Sequence, residues 1–472
     1  MAAELTPPQD ADAPAAAPAV AVAATAPEGA AALPDDASAG PPLDDPAARE
    51  RRRLLRFLLR LGHLLLATGA PAGLVEATLR RVAANCTVAH FNVLALPTVV
   101  FVNFSDEEAL RTEFTAEQGL VLRFDQIEAV YALADDAART PIDGVQGLHR
   151  INQILSMAPR LGVAWNVLGH VLTTVGIGLV LRPSADVILA AAFFGLVVGV
   201  LKVYGRDRGL LTTLLPSFCA FVVALVAMVA AQHGFAASPI YVLVASLVTF
   251  LPGGTLATAT VELAYGDVVS GGTRLVYGMA QLVFLALGML AAASLVGLPA
   301  ERLFAQPPEA ALRAWGPWIG TVLFALGHTL HYAGRLRTLP WLILVLLVAQ
   351  AGQQLGNFAF GGYMSGFVAA LIITPVSYMV QYRLGGPPAM VTYVPALWLV
   401  VPGSLGLIGM AELVGSDRLA GIENFVATLF SIVAIGLGSV VGTGVYNALF
   451  DPVFQRAGTM ADSMLRYLRL RR

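Results

Sequence analysis

From residue 163 onward the chain alternates apolar runs of about 20 residues with short polar breaks. Ten runs stand out, near 163–181, 185–203, 210–231, 239–261, 274–297, 317–334, 339–355, 362–381, 390–413 and 424–448. Each is about long enough to carry an α-helix across roughly 30 Å of hydrocarbon, so the pattern predicts ten transmembrane helices. The stretch ahead of them has another rhythm. RERRRLLRFLLRLGHLLLATG repeats its apolar positions at helical spacing, with Arg51, Arg52, Arg53, Arg56 and Arg60 on the polar side. Gly69 stops that helix, and Pro71 opens a second one to about Asn85. VAHFNVLAL, PTVVFVNF and LVLRF at 120–124 read as strands, and helices follow near 125–138 and 144–157.

One segment occurs twice, 150 positions apart. LPGGTLATATVELAYGD carries Pro252, Gly253, Glu262, Leu263 and Asp267; VPGSLGLIGMAELVGSD carries Pro402, Gly403, Glu412, Leu413 and Asp417. Between 252 and 288 there are 10 identities in 37 positions. Chance in such apolar sequence gives about 3, at roughly 8% per position. Five runs separate equivalent positions. An odd number turns the second copy over, so the repeat predicts inverted topology, a common build for secondary transporters. The expected fold class is mainly α, a polytopic membrane protein with about ten transmembrane helices in two inverted five-helix repeats, preceded by a small α+β cytoplasmic domain. Its parts are a disordered Ala/Pro-rich tail (1–46), the α+β domain (47–160), a first membrane unit (161–300), a second (301–450) and a basic tail (451–472).

Composition agrees. The chain of 472 residues is 57% hydrophobic and 13% charged, where a soluble domain carries about 25% charged residues. No basic cluster points to nucleic acid. Cys86 and Cys219 have no metal spacing and read as reduced thiols. Lys202, the single lysine among 29 basic residues, reads as compositional bias. With the N-terminus inside, the inner loops hold Lys202, Arg206, Arg208, Arg274, Arg335, Arg337 and Arg383, against Arg182, Arg302, Arg313 and Arg418 outside. That bias and the basic tail favour two cytoplasmic termini. No signal-peptide pattern opens the chain, which also leaves the N-terminus in the cytoplasm.

The chemistry clusters at the repeated Pro-Gly pairs. Proline removes a backbone hydrogen bond and clashes with the preceding turn, and the freed groups need protein, water or substrate. Pro252, Gly253, Thr255, Pro402, Gly403 and Ser404 are therefore candidate substrate-binding residues, beside the plainer reading of packing kinks. Glu262, Glu412 and Asp267 are candidates for proton or cation coupling, beside the reading of helix-end acids in the headgroup region. His328 and His331, one turn apart, read either as a proton-sharing pair or as interfacial histidines, and two histidines alone make no metal site. Gln350, Gln353 and Gln354 fit interhelical hydrogen bonds. Ser105, Asp106 and Glu107 with His90 lack a nucleophile motif.

ATGAPAGLVEATL (with Gly69 and Glu76), PGxxLxxxxxEL at 252–263, SGGTRL at 270–275 and VPGS at 401–404 resemble the threonine/serine exporter family of bacterial membrane proteins, which has fungal relatives. The resemblance implies a fused protein with both membrane units on one chain. It implies proton-motive-force-driven export of small hydrophilic amino acids, threonine and serine first, from a bacterial inner membrane. The expected partners are a small-molecule substrate and the lipid bilayer, with a homo-oligomer left open, no cofactor and no enzymatic activity. No phosphate-binding loop points to an ATP-driven pump. Two rivals stand beside this reading: export of small dicarboxylates, and a membrane-anchored enzyme or sensor acting through residues 47–160.

Overall fold

The fold is given by a computed structural model. It describes residues 46–86, 91–106, 109–116, 120–181, 184–205, 210–234, 239–297, 314–400, 406–409, 412 and 418–450. The two tails, His90, Glu107, Arg182, Arg206, Arg208, Arg302, Arg313, Pro402, Gly403, Ser404, Leu413 and Asp417 lie outside the described residues.

The N-terminal part packs two helices against a small sheet and two more on those helices. Helix α1 (Pro46–Ala67) buries Leu55, Phe57, Leu58, Leu61, Leu64 and Leu65, the apolar stripe that its periodicity predicts. It ends just before Gly69, whose φ of +87° suits a residue without a Cβ. Pro71 then caps α2 (Ala72–Asn85) in extended conformation. Strands β1 (Phe91–Leu96), β2 (Val99–Asp106) and β3 (Ala109–Ala116) form an antiparallel meander. Its inner face buries Val93, Ala95, Val100 and Val102. The third strand is not the predicted one: 120–123 is irregular, and ALRTEFTA takes the edge instead. Leu122 and Phe124 are buried, but they lead into α3 (Phe124–Arg139) without pairing. Helix α4 (Gly144–Leu155) starts from an Asp143 cap that accepts from the Gln146 amide.

Among the described residues, seven helical stretches are long and apolar enough to cross a membrane: Val163–Leu181, Ala185–Gly205, Thr212–Gln232, Val268–Val296, Leu336–Phe360, Met364–Tyr382 and Gly421–Phe450. The bent pair Pro239–Ser246 and Val248–Ala264 brings the number to eight if it is one span. The chain is a multi-pass membrane protein. In chain order the helices are α5 (Val163–Leu181), α6 (Ala185–Gly205), α7 (Leu210–Gln232), α8 (Pro239–Ser246), α9 (Gly253–Ala264), α10 (Val268–Val296), α11 (Gly316–His331), α12 (Leu339–Phe360), α13 (Gly362–Tyr382), α14 (Ala389–Val400) and α15 (Arg418–Phe450). The predicted sixth span shortens to the 16 residues of α11, and α14 is a short apolar helix of 12.

Small residues set the closest approaches. On α5 and α11, Gly169 meets Gly327 and Gly176 meets Gly320, each glycine against the other's carbonyl. The pairing makes the two helices antiparallel. Gly169 and Gly320 are 151 positions apart, as are Gly176 and Gly327, so equivalent glycines exchange contacts. Gly288 lies under the Ser217 carbonyl beside Ala220, and Gly438 lies under the Phe367 carbonyl beside Ala370. Each residue of the second set is 150 positions after its counterpart. Leu256 packs on Gly278, and 150 positions on Gly406 packs on Thr428, with large and small exchanged. A backbone that approaches this closely leaves no room for a side chain, so these positions fix how the helices meet.

Candidate functional site

The bent span turns by 56° between α8 and α9. Its hinge is a single 3-10 turn, Val248–Phe250, followed by extended Leu251 and then Pro252, which opens α9 without any side-chain cap. Proline cannot supply an amide to the preceding turn, which is why the helix breaks here. Pro252 and Gly253 are buried and Thr255 is partly buried in the first turn of α9. Gly254 leaves space for the Trp398 indole, because a Cβ there would lie 2.5 Å from the indole nitrogen.

Thr249, inside the hinge, joins groups from two other helices, and a third joins through Lys202. Lys202 of α6 donates to Thr249 Oγ1 at 2.9 Å, and His170 Nε2 of α5 lies 3.0 Å from the same oxygen. Lys202 Nζ is also 3.0 Å from His331 Nε2 of α11. The far nitrogens of both rings face carbonyls: His170 Nδ1 meets Gly195 O at 2.9 Å, and His331 Nδ1 meets Asn166 O at 3.0 Å. A carbonyl only accepts, so each Nδ1 carries the hydrogen and each Nε2 accepts. The network then runs one way. Lys202 donates to Thr249 and His331, Thr249 donates to His170, and two carbonyls end the chains. Asn166 Nδ2 closes the loop on His331 O at 2.6 Å.

His328, one turn before His331, sits among Phe124, Phe324, Tyr332 and Trp398, with ring centroids 4.6 to 5.4 Å away. It is 3% exposed, and its Nδ1 has no hydrogen-bond partner among the described residues. Phe124 comes from the N-terminal part: its amide donates to Tyr332 O at 2.9 Å and its ring stacks on Tyr332.

Glu262 sits at the other end of α9 and is fully buried. Arg274 Nε lies 3.1 Å from Glu262 Oε2, and the Ala72 amide donates to Glu262 Oε1 at 2.9 Å. Arg274 reaches on to Ala70 O at 3.4 Å, and Ser270 donates to Ala95 O at 3.4 Å. The first-turn amides of α2 thus dock on membrane-unit carboxylates, where a helix N-terminus favours negative charge. Asp267 lies beside Gly73 of the same turn. Burial, then the nearby Glu76 carboxylate, pushes its pKa above the usual carboxylate range, and the Gly73 amide opposes this. In the second copy Glu412 accepts from Asn424 at 2.5 Å. Asn424 is the 150-residue equivalent of Arg274, so both copies place a donor on the same carboxylate.

The structure brings Pro252, Gly253 and Thr255 to the break, and puts Glu262 and Asp267 against the N-terminal part instead. Sequence reasoning missed Lys202 and Thr249. The loop charge bias places Lys202 among the inner-loop cations, yet it falls in the last turn of α6 and donates to the hinge, leaving six inner-loop residues against four. A lone lysine at the end of an apolar run was the available signal, since a charge at that depth is costly without a polar site.

Residues 56–296 match the family described as "Putative threonine/serine exporter". The chain belongs to that family. The match runs from α1 to the end of α10, so it includes Lys202, Thr249 and Glu262, while His331 and Glu412 lie beyond it. The chain is also 23% identical over 423 residues to pheromone-regulated membrane protein 10 of Yarrowia lipolytica, covering 84% of this chain and 33% of that protein. It therefore spans about a third of that relative's length. No solved structure matches.

Proposed function

We propose that this member of the exporter family is a secondary exporter of small hydrophilic amino acids, threonine and serine first, driven by the proton-motive force across a bacterial inner membrane. The observation that carries this reading is the interrupted span, where Thr249 holds Lys202 and His170 at the break. The uncapped N-terminus of α9 and the Lys202 ammonium both favour a substrate carboxylate. The Thr249 and Thr255 hydroxyls suit a hydroxylated side chain, and the Trp398 and Tyr332 faces suit an ammonium group. By the sequence repeat, Pro402, Gly403 and Ser404 are the proposed substrate-binding residues of the second copy. A small dicarboxylate is the second reading, because Lys202 serves any carboxylate equally.

The architecture adopted is ten spans in two inverted five-helix units, with both termini in the cytoplasm. The contacts repeated at 150 residues and the antiparallel glycine pairing of α5 with α11 support it. Glu262, Glu412 and Asp267 are the proposed coupling acids. Counterflow in proteoliposomes tests the substrate: preloaded threonine or serine drives uptake of labelled threonine, while succinate does not. Succinate-driven counterflow alone overturns the amino-acid reading. Under a pH gradient, Glu262→Gln or Glu412→Gln abolishes coupled efflux but keeps exchange, which moves no net proton. Wild-type efflux by both variants removes the acids from coupling.

A further inference from the structure

Away from the interrupted span, a cavity of about 370 Å³ opens between α3, α4 and the link from α11 to α12. We propose that it binds a small organic anion bearing one or two carboxylate or phosphate groups, and that the bound anion ties the N-terminal part to that link. Three guanidiniums line it, from Arg150, Arg335 and Arg337, against one carboxylate, Glu128. That carboxylate is already occupied. Thr338 donates to one oxygen at 2.7 Å, while Arg335 and Arg337 approach the other at 3.2 and 3.4 Å. Two guanidiniums share one negative charge there, and what they leave toward the cavity is N–H. Arg150 adds a third fork from α4, held by Asp136 at 2.7 Å. With Asp136 included, three cations face two anions.

A guanidinium has five donors in a planar fork that fits carboxylate or phosphate in pairs. An incoming anion therefore takes the unused donors without displacing Glu128. The wall between the charges is apolar, with Ala129, Ala132, Ile154 and Met157. An inorganic ion leaves that wall unused, and an acid with a short hydrocarbon body covers it. The site joins elements far apart in the chain, so an occupant strengthens the contact between them.

A phospholipid headgroup presents the same chemistry as a soluble acid, and the test separates the two. The full chain in phosphatidylcholine nanodiscs is titrated with 3-phosphoglycerate, which carries one carboxylate and one phosphate on a three-carbon body. Saturable binding is expected, weakened by added salt. Arg150→Gln with Arg337→Gln weakens it at least tenfold; Arg337 is 73% exposed, so the change spares the fold. Glu128→Gln, which removes the competing carboxylate, tightens it several-fold. Weaker binding in nanodiscs containing phosphatidylglycerol assigns the site to a headgroup, and unchanged binding assigns it to a soluble acid; both keep an anion site. No saturable binding in phosphatidylcholine, or equal affinity in the double variant, overturns the proposal.

Discussion

Glu262 and Arg274 form an ion pair whose worth depends on being whole. The Glu262 side chain is fully buried and Arg274 is 12% exposed, so either charge left alone is poorly hydrated. Breaking a buried pair costs about 3–5 kcal/mol, most of it for the stranded partner. Glu262→Gln and Arg274→Asn are each expected to lower the thermal unfolding midpoint and to hasten proteolysis near Gly69. Together they leave no stranded charge and place an amide opposite an amide. The double variant should recover part of the loss, with a coupling of about 0.5–3 kcal/mol. Strictly additive losses in the melting series would show that the two side chains act separately. Arg274→Asn also copies the second repeat, where Asn424 serves Glu412.

At the scale of elements, glycine contacts decide the helix crossings. Gly327 faces the Thr173 amide and the Gly169 carbonyl, so any side chain there forces α5 and α11 apart. Gly327→Val and Gly176→Val should each sharply reduce the monodisperse peak in detergent size-exclusion chromatography. Gly272→Ala, where a Cβ meets nothing, should leave it unchanged. A normal profile for Gly327→Val would mean that this crossing is loose. Most of these helices were legible in the sequence, because an apolar run of about 20 residues has few other uses. The third strand was not. LVLRF and ALRTEFTA both alternate, and only packing shows that Leu122 is buried without pairing and that Phe124 is spent on Tyr332. The break was legible from Pro252 and Gly253, but its chemistry was not. Thr249 precedes the proline, Lys202 and His170 reach it from 47 and 79 residues away, and His331 joins through Lys202. Such a meeting leaves no trace in local spacing.

Over the whole molecule, the N-terminal part has contacts with both halves of the membrane region. In the first half Ala72 and Ala70 hold Glu262 and Arg274, with Ser270 on Ala95. In the second, Phe124 holds Tyr332, and Glu128 holds Arg335, Arg337 and Thr338. In the proposed exporter the two units tilt against each other, so at least one of these attachments must open in each cycle. Gly73→Cys with Asp267→Cys, in a Cys86→Ser, Cys219→Ala background, joins the first one covalently. Oxidation should stop counterflow and a reductant should restore it. Full cross-linking with unchanged counterflow would show that this attachment stays closed throughout the cycle. In the proposed exporter, the glycine crossing of α5 and α11, the closest backbone approach between the two units, is the natural fulcrum of that tilt. Points near a fulcrum travel least, so Gly169 and Gly327 can keep backbone contact through the whole stroke. The Phe124 attachment at Tyr332 follows directly on His331, which packs on Gly169, so it lies in that quiet region; the Ala72 attachment on Glu262 is then the one left to travel.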